Sequence, residues 1–456
     1  MSAIITERIK KLMIQNLFDD IEDSANKYYI ALGRSHDWDS ADTPSTPIPT
    51  DREIRNFRLS AQAAKRVTDW SFVIPRFNWA TGTTYYGYDD NTSGHPLNTY
   101  YVLTDDNAVY ICLRQSRNTL GAIVPSTVKP TGISSLPFTT ADGYVWKFLY
   151  TVGTTFANRF LSANYMPIRL QTATDSDSLA VEVEQQTIQN AAVPGQIGDI
   201  QLIAGGAGYT SAPTVTIVGD GIRARGAATV SGGTVTKVVL ADSSDGAPAQ
   251  GKNYNWAEIK FTGGGGSGTT ARAVVGPKNG FGADPRDDLR ATAIMFNTKP
   301  DGSEGGKFVV NNDFRQLALV KNPQLPDSDA LFSAAVGNML RRLKFATITT
   351  QFVADHTLLG ATSGAKAYVD KFDSDEVWYH QTEDTGFTQF TEGEVVSETD
   401  GAGTGTLLSV GFDADTEAYL EPDIDPFSGE VLYIENRTAV QRTVGQVEDI
   451  KIIVQL

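Results

Sequence analysis

The chain has 456 residues, a formal net charge of −16 and a single cysteine, Cys112. This acidic balance argues against binding along nucleic acid, which needs clustered lysine and arginine. One cysteine excludes an internal disulfide and a zinc site built on two or more cysteines. No apolar run approaches the roughly 18 residues of a membrane helix, and no signal-peptide pattern is present. The length predicts about two to four domains, and the 42 glycines favour β-structure with many turns.

The first part of the chain predicts two helices among several strands. A helix is expected from Thr6 to about Asp23, because apolar residues recur there every three or four positions. These residues are Ile5, Ile9, Leu12, Met13, Leu17 and Ile21. A strand at Tyr28–Leu32 and a proline-rich loop at 37–51 precede a second helix at Arg52–Val67. Further strands are predicted at Trp70–Arg76, Tyr100–Thr104 and Ala108–Arg114.

The segment Ala141–Val152 has a strong strand pattern with an aromatic face. Tyr144, Trp146, Phe148 and Tyr150 alternate along it and therefore share one side. Such a face is typical either of a stacking platform for sugars or bases or of an internal sheet face or subunit interface. We favour the second interpretation.

Glycine-rich sequence between Gly195 and Gly276 contains a weak internal repeat. Residues 205–230 and 251–275 each combine a turn with a tyrosine, a strand, a glycine-rich turn and a second strand. Another strand, Thr234–Leu240, lies between the copies, so we expect a small inserted β-domain. Gly263, Gly265 and Gly268 satisfy the GxGxxG pattern of nucleotide sites, but a strand pattern follows them where a helix is required. A tight turn is the better interpretation.

The remaining elements are mixed. We predict a short helix at Asp284–Met295, a strand at Phe314–Val320, a helix-like segment at Ala330–Gly337 and a strand at Leu343–Phe352. A second small β-module is expected at about 359–411. Two strands are predicted near the last residue, at Val431–Glu435 and Ile450–Leu456.

Four charged residues accompany these last two strands: Glu435, Arg437, Arg442 and Glu448. Guanidinium groups match carboxylates, so a paired network is expected. A clamp that holds the strands is favoured over a substrate-binding arginine.

A search for catalytic and metal-binding patterns gives little. The four histidines, His36, His95, His356 and His380, are far apart in the sequence, and neither HExxH nor GxSxG occurs. A folded triad from distant residues stays open, although no pattern indicates one. Two acidic clusters invite a calcium interpretation but lack the EF-hand glycine and glutamate, so solvated loops are favoured. These clusters are Asp370, Asp373, Asp375 and Glu376, and Asp413, Asp415 and Glu417.

Three separated segments, in the same order, resemble one family. The first is a helix followed by Gly33-Arg34-Ser35 and Trp38, and the second is IPRFNW (Ile74–Trp79) with DGYVW (142–146). The third is GE…YIENR in the C-terminal segment (429–437). Together they resemble the baseplate wedge subunit of T-even-type contractile-tailed bacteriophages. The resemblance covers roughly residues 1–175, 283–355 and 412–456.

The resemblance implies a mainly β, α+β fold with a layered β-sandwich core and inserted small β-domains. Expected divisions are 1–189, 190–281 (insertion), 282–357, 358–411 (insertion) and 412–456. It implies a homodimer that binds other wedge proteins in the tail baseplate of the virion and is assembled in the host cytoplasm. No catalysis, cofactor, metal, nucleic acid or membrane insertion is implied. Interface residues are expected among Trp38, Trp79, Tyr144, Trp146, Arg437 and Arg442.

Two other classes of function stay open. One is a tail-fibre-like adhesin that binds host surface glycans through the glycine-rich insertions. The other is a polysaccharide-degrading enzyme, since the many acidic residues do not exclude a pair of carboxylates across a cleft.

Overall fold

The computed structural model describes residues 6–95, 99–118, 121–175, 178–241, 249–409 and 418–456. Strands account for 41% and helices for 12% of the structure, in several antiparallel sheets. The predicted mainly β, α+β fold is therefore confirmed. No helix among the described residues is long and apolar enough to cross a membrane.

The helices of the described residues are short, apart from the first. They are α1 (Glu7–Glu22), α2 (Asp51–Leu59), α3 (Thr154–Phe160), α4 (Ala180–Asn190) and α5 (Pro285–Asp288). The helix predicted from Thr6 is confirmed as α1, yet its apolar face is only partly covered. Ile14 is fully buried, whereas Ile9, Leu12 and Met13 are 49%, 59% and 52% exposed.

Strands of the first 300 residues are as follows: β1 (Tyr28–Gly33), β2 (Ala61–Arg66), β3 (Asp69–Pro75), β4 (Tyr101–Leu103), β5 (Ala108–Arg114), β6 (Phe138–Thr139), β7 (Val145–Thr151), β8 (Tyr165–Ile168), β9 (Ile197–Ala207), β10 (Thr214–Gly219), β11 (Ile222–Ala224), β12 (Gly226–Ser231), β13 (Thr234–Leu240), β14 (Gln250–Lys252), β15 (Ala257–Thr262), β16 (Ser267–Val275) and β17 (Ala293–Thr298).

The later strands are β18 (Asn312–Lys321), β19 (Val336–Asn338), β20 (Arg341–Thr350), β21 (Thr357–Gly360), β22 (Lys366–Asp373), β23 (Glu376–His380), β24 (Val395–Glu398), β25 (Thr404–Leu407), β26 (Tyr419–Leu420), β27 (Glu430–Arg442) and β28 (Ile450–Gln455). The strand predicted at Val431–Glu435 thus extends to Arg442.

The chain divides into two compact units, and the first comprises residues 1–15, 71–295 and 455–456. Its four-stranded sheet has the order β4-β5-β7-β6. The aromatic face predicted for the segment 141–152 packs in its core, where Tyr144, Trp146 and Phe148 are fully buried. The internal-face interpretation of that strand is therefore confirmed.

A six-stranded sheet of the first unit, β13-β12-β10-β15-β16-β9, contains the glycine-rich repeat. The tyrosine of each copy, Tyr209 and Tyr254, is buried in the core of this sheet. The predicted turn of the GxGxxG segment lies at 263–266 between β15 and β16, Gly268 lies in β16, and Gly263, Gly265 and Gly268 all have positive φ. A Cβ at Gly266 would lie 2.5 Å from the Tyr209 ring, so glycine is required there for packing.

The second unit comprises residues 16–70 and 296–454. One of its sheets has the order β19-β2-β1-β18-β27. The helix predicted at Arg52–Val67 is wrong beyond Leu59, because the alanine-rich segment after it is the strand β2. Ala61, Ala63 and Ala64 are at most 1% exposed, and their small side chains let β2 lie between β1 and β19. Tertiary packing overrides helix propensity at this segment.

The other sheet of the second unit is closed. Its order is β23-β22-β21-β24-β25-β20-β26, and a further pairing of β20 with β23 joins the two sides. Leu343, Leu358, Val369 and Val396 are fully buried in its core. The division expected at residue 358 falls inside this closed sheet, because β20 supplies one of its strands.

Two further helix predictions are wrong. Ala330–Gly337 is irregular up to the short strand β19, and the helix expected at Asp284–Met295 ends at Asp288. In α5 the side chain of Asp284 caps the backbone N–H of Arg286. Leu289 ends the helix, and the buried strand β17 follows at Ala293.

Candidate functional site

The residues predicted to anchor a partner in the first unit are mostly internal. Tyr144 and Trp146 are fully buried and stack on each other with ring centroids 5.8 Å apart. Trp79 is half-buried against the same cluster, and its Nε1 donates to Ser126 Oγ at 3.3 Å. The expectation that Tyr144 and Trp146 contact a partner needs exposed surface that these side chains do not have.

Asp142, the first residue of the DGYVW segment, anchors a neighbouring loop. Its Oδ2 accepts hydrogen bonds from Ser126 Oγ at 3.0 Å and from the backbone N–H of Thr127 and Val128 at 2.8 and 2.9 Å. Burial opposes the charge, but the hydrogen bonds from Thr140 and from these donors hold the pKa of Asp142 below its ordinary value. The carboxylate therefore ties the loop at 126–128 to the hairpin that carries Trp146.

Two of the four C-terminal charges, Arg442 and Glu448, form the clamp that the sequence favours, whereas Glu435 and Arg437 form no ion pair among the described residues. Arg442 is 1% exposed, and its Nε and Nη2 each donate to a carboxylate oxygen of Glu448 at 2.9 Å. Nη2 also donates to the carbonyl of Gly302 at 2.8 Å, and the guanidinium lies 5.0 Å from the centre of the Phe308 ring. The structural interpretation of Arg442 is confirmed, and its burial removes it from any interface on this chain.

Trp38 and Arg437, the other two predicted interface residues, lie together in the second unit. Trp38 Nε1 donates to the backbone carbonyl of Arg437 at 2.9 Å. The Arg34 guanidinium lies over the Trp38 ring, 4.0 Å from its centre. Both Trp38 and Arg437 are half-buried. The glycine-arginine-serine segment and the YIENR segment are thus joined directly.

A polar cluster of two histidines, an aspartate and a serine also lies in the second unit. No sequence pattern predicted that these side chains would meet. His36 Nδ1 and His380 Nε2 are 2.9 Å apart, although 344 positions separate the two residues. His380 Nδ1 lies 2.6 Å from Asp370 Oδ2, and Ser35 Oγ donates to Asp370 Oδ1 at 2.8 Å. Ser35, Asp370 and His380 are all at most 3% exposed. We name these four residues the His36–Asp370 cluster.

Only two residues of the cluster, Asp370 and His380, are brought together by local structure. Asp370 and His380 belong to the paired strands β22 and β23, and Asp370 lies at a register shift between Val369 and Lys371. This bulge re-aims the carboxylate. A hairpin prediction around the acidic turn at 373–376 would have brought Asp370 close to His380. His36 follows β1 and has no local signal. The solvated-loop interpretation of Asp370 is wrong, because its side chain is fully buried.

Hydrogen-bond chemistry assigns one proton of the cluster. A carboxylate only accepts, so His380 carries a proton on Nδ1 and donates it to Asp370, whereas either nitrogen can be the donor between His36 Nδ1 and His380 Nε2. Burial, with the neighbouring His380, Arg34 and Arg315, lowers the pKa of His36 to about 2. His36 is therefore neutral at ordinary pH.

This arrangement is not a nucleophile–base pair. In a catalytic triad the hydroxyl donates to the histidine and the carboxylate lies behind it. Here the Ser35 hydroxyl donates to Asp370 at 2.8 Å, on the carboxylate side of His380. The geometry can relay a proton between Asp370 and His36, but it does not activate Ser35 for attack.

Arg315 connects the loop that follows β1 to the strand β18. It is 4% exposed, and its Nε donates to Asp42 at 2.8 Å while Nη2 donates to Asp37 at 2.7 Å. Nη1 donates to the carbonyl of Ser35. The cluster and its arginine hence immobilise the segment at 35–42, which otherwise has little regular structure.

Metal binding finds no support in the described part of the chain. No group of three or more histidine, cysteine, aspartate or glutamate side chains is arranged to hold an ion among the described residues. The acidic cluster Asp413, Asp415 and Glu417 lies outside the described residues.

The chain matches no protein-family model and no curated protein sequence.

Proposed function

We propose that the chain is a structural subunit of the baseplate wedge of a contractile bacteriophage tail. In this role it is a homodimer that holds neighbouring wedge proteins together in the virion and takes part in baseplate rearrangement at sheath contraction. The proposal rests on the sequence resemblance, and it requires that the shared motifs serve the fold and that a surface is free for partners.

The observation that carries the proposal is the way in which distant motif segments pack against each other. Trp38 of the first motif hydrogen-bonds the backbone of Arg437 in the third. Trp79 and Trp146, from the two parts of the second motif, belong to one apolar cluster of the first unit. Motif residues that maintain packing fit an assembly protein better than an enzyme, whose shared residues would surround a reactive group.

A partner surface is available on α1. Ile9, Leu12 and Met13 form an exposed apolar stripe on this helix. Beside it lies a groove of about 790 Å³, lined by the basic side chains of Arg8, Lys11, Lys278, Arg286 and Arg290. Lys11, Arg286 and Arg290 already pair with Asp287, Asp284 and Glu7, whereas no described carboxylate forms an ion pair with Arg8 or Lys278. In a chain of charge −16, this groove suits an acidic partner segment with apolar side chains.

Sedimentation velocity of the purified chain, followed by co-purification with candidate wedge proteins, tests the proposal. A dimer near twice 49.2 kDa that co-purifies with wedge proteins is the expected result. A stable trimer that does not would instead favour the adhesin that binds host glycans.

A pair of variants makes the test specific for the α1 surface. Leu12→Asp places a charge in the exposed stripe and should abolish partner binding while the chain stays folded. Ile222→Asp is the matched control, because Ile222 is 50% exposed on the strand β11, away from the helix α1 in the sequence. Equal binding by both variants would remove α1 from the interface.

A further inference from the structure

A second cavity of the first unit is polar and unexplained by a structural role. It has a volume of about 380 Å³ and is bounded by the end of β5 with the loop after it, by β9 and by β13. This size is at the small end for ligand pockets and suits one or two sugar rings. The cavity is therefore a candidate binding site, and it does not depend on assembly with wedge proteins.

Three cations line this cavity: Arg114, Arg117 and Lys237. Some other cations of the same unit pair with carboxylates, as Arg272 does with Asp89 at 2.6 Å and Arg169 with Glu182 at 2.8 Å. By contrast, no described carboxylate lies within the 4.0 Å ion-pair distance of Arg114, Arg117 or Lys237. Three cations without an ion-pair partner among the described residues, faced only by the buried carboxyl of Asp199, indicate an anionic ligand in this chain of net charge −16.

The one carboxyl on the cavity wall does not cancel this charge. Asp199 is 6% exposed, and its burial raises its pKa to about 7 although Arg114 and Arg117 lower it. A carboxyl that protonates near neutral pH can donate a hydrogen bond to a ligand hydroxyl. It opposes an anion less than an ordinary aspartate would.

The remaining wall has the mixed character of a sugar site. Ile203 is 68% exposed and Val239 is half-buried, and these two lining side chains provide an apolar floor. Hydroxyl and amide side chains surround it, namely Gln115, Ser116, Gln201, Thr234 and Thr236. Ring hydroxyls match such donors and acceptors, and the C–H face of a ring matches the floor.

We propose that this cavity binds a small sugar that carries a carboxylate or a phosphate. The anionic group lies against Arg114 and Arg117, and the ring lies over Ile203 and Val239. This site goes beyond the structural role proposed above and does not depend on it, because all its walls belong to one unit of a single chain.

Isothermal titration calorimetry of the full chain tests the site with four probes: D-glucuronate, D-glucose 6-phosphate, D-glucose and inorganic phosphate. At least one sugar anion should bind saturably, with a dissociation constant of about 1 mM or below. D-Glucose and inorganic phosphate should each bind about tenfold more weakly, because each supplies only half of the contacts. Binding by only one sugar anion identifies the anionic group.

Variants connect the binding to the cavity. Arg114→Gln should weaken the sugar anion about tenfold or more, since it removes a charge-assisted hydrogen bond. Lys260→Gln is the matched control, because it removes the same charge from β15, outside the cavity, and should leave affinity unchanged. If Arg114→Gln does not fold, Lys237→Gln gives the same comparison at an exposed position.

Three results would overturn the proposal. They are the absence of saturable binding by both sugar anions, equal binding of D-glucose, and equal weakening by Arg114→Gln and Lys260→Gln. Inorganic phosphate that binds as tightly as the sugar phosphate overturns the sugar part and leaves a plain anion site. Since none of these measurements needs a dimer or a wedge partner, failure here is distinct from failure of the structural role.

Discussion

Replacement of Arg442 by leucine should strongly destabilise the C-terminal strands. The change leaves Glu448, whose side chain is 10% exposed, without its counter-charge. Breaking a buried ion pair by removing one partner costs about 3–5 kcal/mol. The carbonyl of Gly302, which accepts from Arg442 at 2.8 Å, also loses its hydrogen bond, at about 1 kcal/mol. We therefore expect Arg442→Leu to lower the free energy of unfolding by about 4–6 kcal/mol.

The assay is urea denaturation monitored by hydrogen exchange. Exchange of peptides within 430–456 reports the unfolding of these strands. Arg341→Leu is the matched control, because Arg341 is 57% exposed and reaches Glu421 only at 3.9 Å. Exposed pairs contribute at most about 1 kcal/mol. Adding Glu448→Leu to Arg442→Leu should recover stability, because no buried charge then remains unpaired. The clamp reasoning would be refuted if Arg442→Leu cost no more than Arg341→Leu, or if the second substitution added to the loss.

Three further predictions concern titratable groups, of which His36 and Asp142 are half-buried and Asp288 is buried. Because the pKa of His36 is about 2 in the folded state and near 6.5 in the unfolded state, the unfolded chain binds the extra proton. Folded-state stability should thus fall as pH drops below about 6.5, by up to about 1.4 kcal/mol per unit, and His36→Gln should abolish this slope in urea titrations. Burial raises the pKa of Asp288 to about 8, so its folded form holds a proton that the unfolded form loses above pH 4. Stability should fall between pH 4 and 8, and Asp288→Asn should unfold at a higher temperature than the wild type at pH 8 but not at pH 4; an equal shift at both would contradict the reasoning. Asp142→Ala should cost about 2–4 kcal/mol and speed hydrogen exchange at Thr127 and Val128, whereas exchange unchanged from the wild type would exclude the carboxylate as the anchor of that loop.

Local patterns determined much of the secondary structure. The helix α1, the aromatic strand β7 and the last strand β28 follow from apolar spacing alone, because a period of 3.6 or 2 is a property of neighbouring residues. The turn at 263–266 also follows from its own residues, since only glycine readily takes positive φ at several adjacent positions. In the same way, complementary charges close to each other in sequence led to the clamp of Arg442 and Glu448.

Only the tertiary structure decided which apolar and polar residues are buried and which side chains they contact. Ala61–Arg66 has helix propensity, but it is a strand because pairing with β1 and β19 satisfies its backbone and needs small side chains. Tryptophan is a residue type that is common at interfaces, yet Trp146 is internal because other aromatic rings cover it. His36 meets His380 only through strand pairing between distant segments, and sequence spacing does not encode such proximity. The sequence by itself therefore determined local elements and turns, and long-range packing determined burial, because burial depends on which surfaces the whole chain brings together.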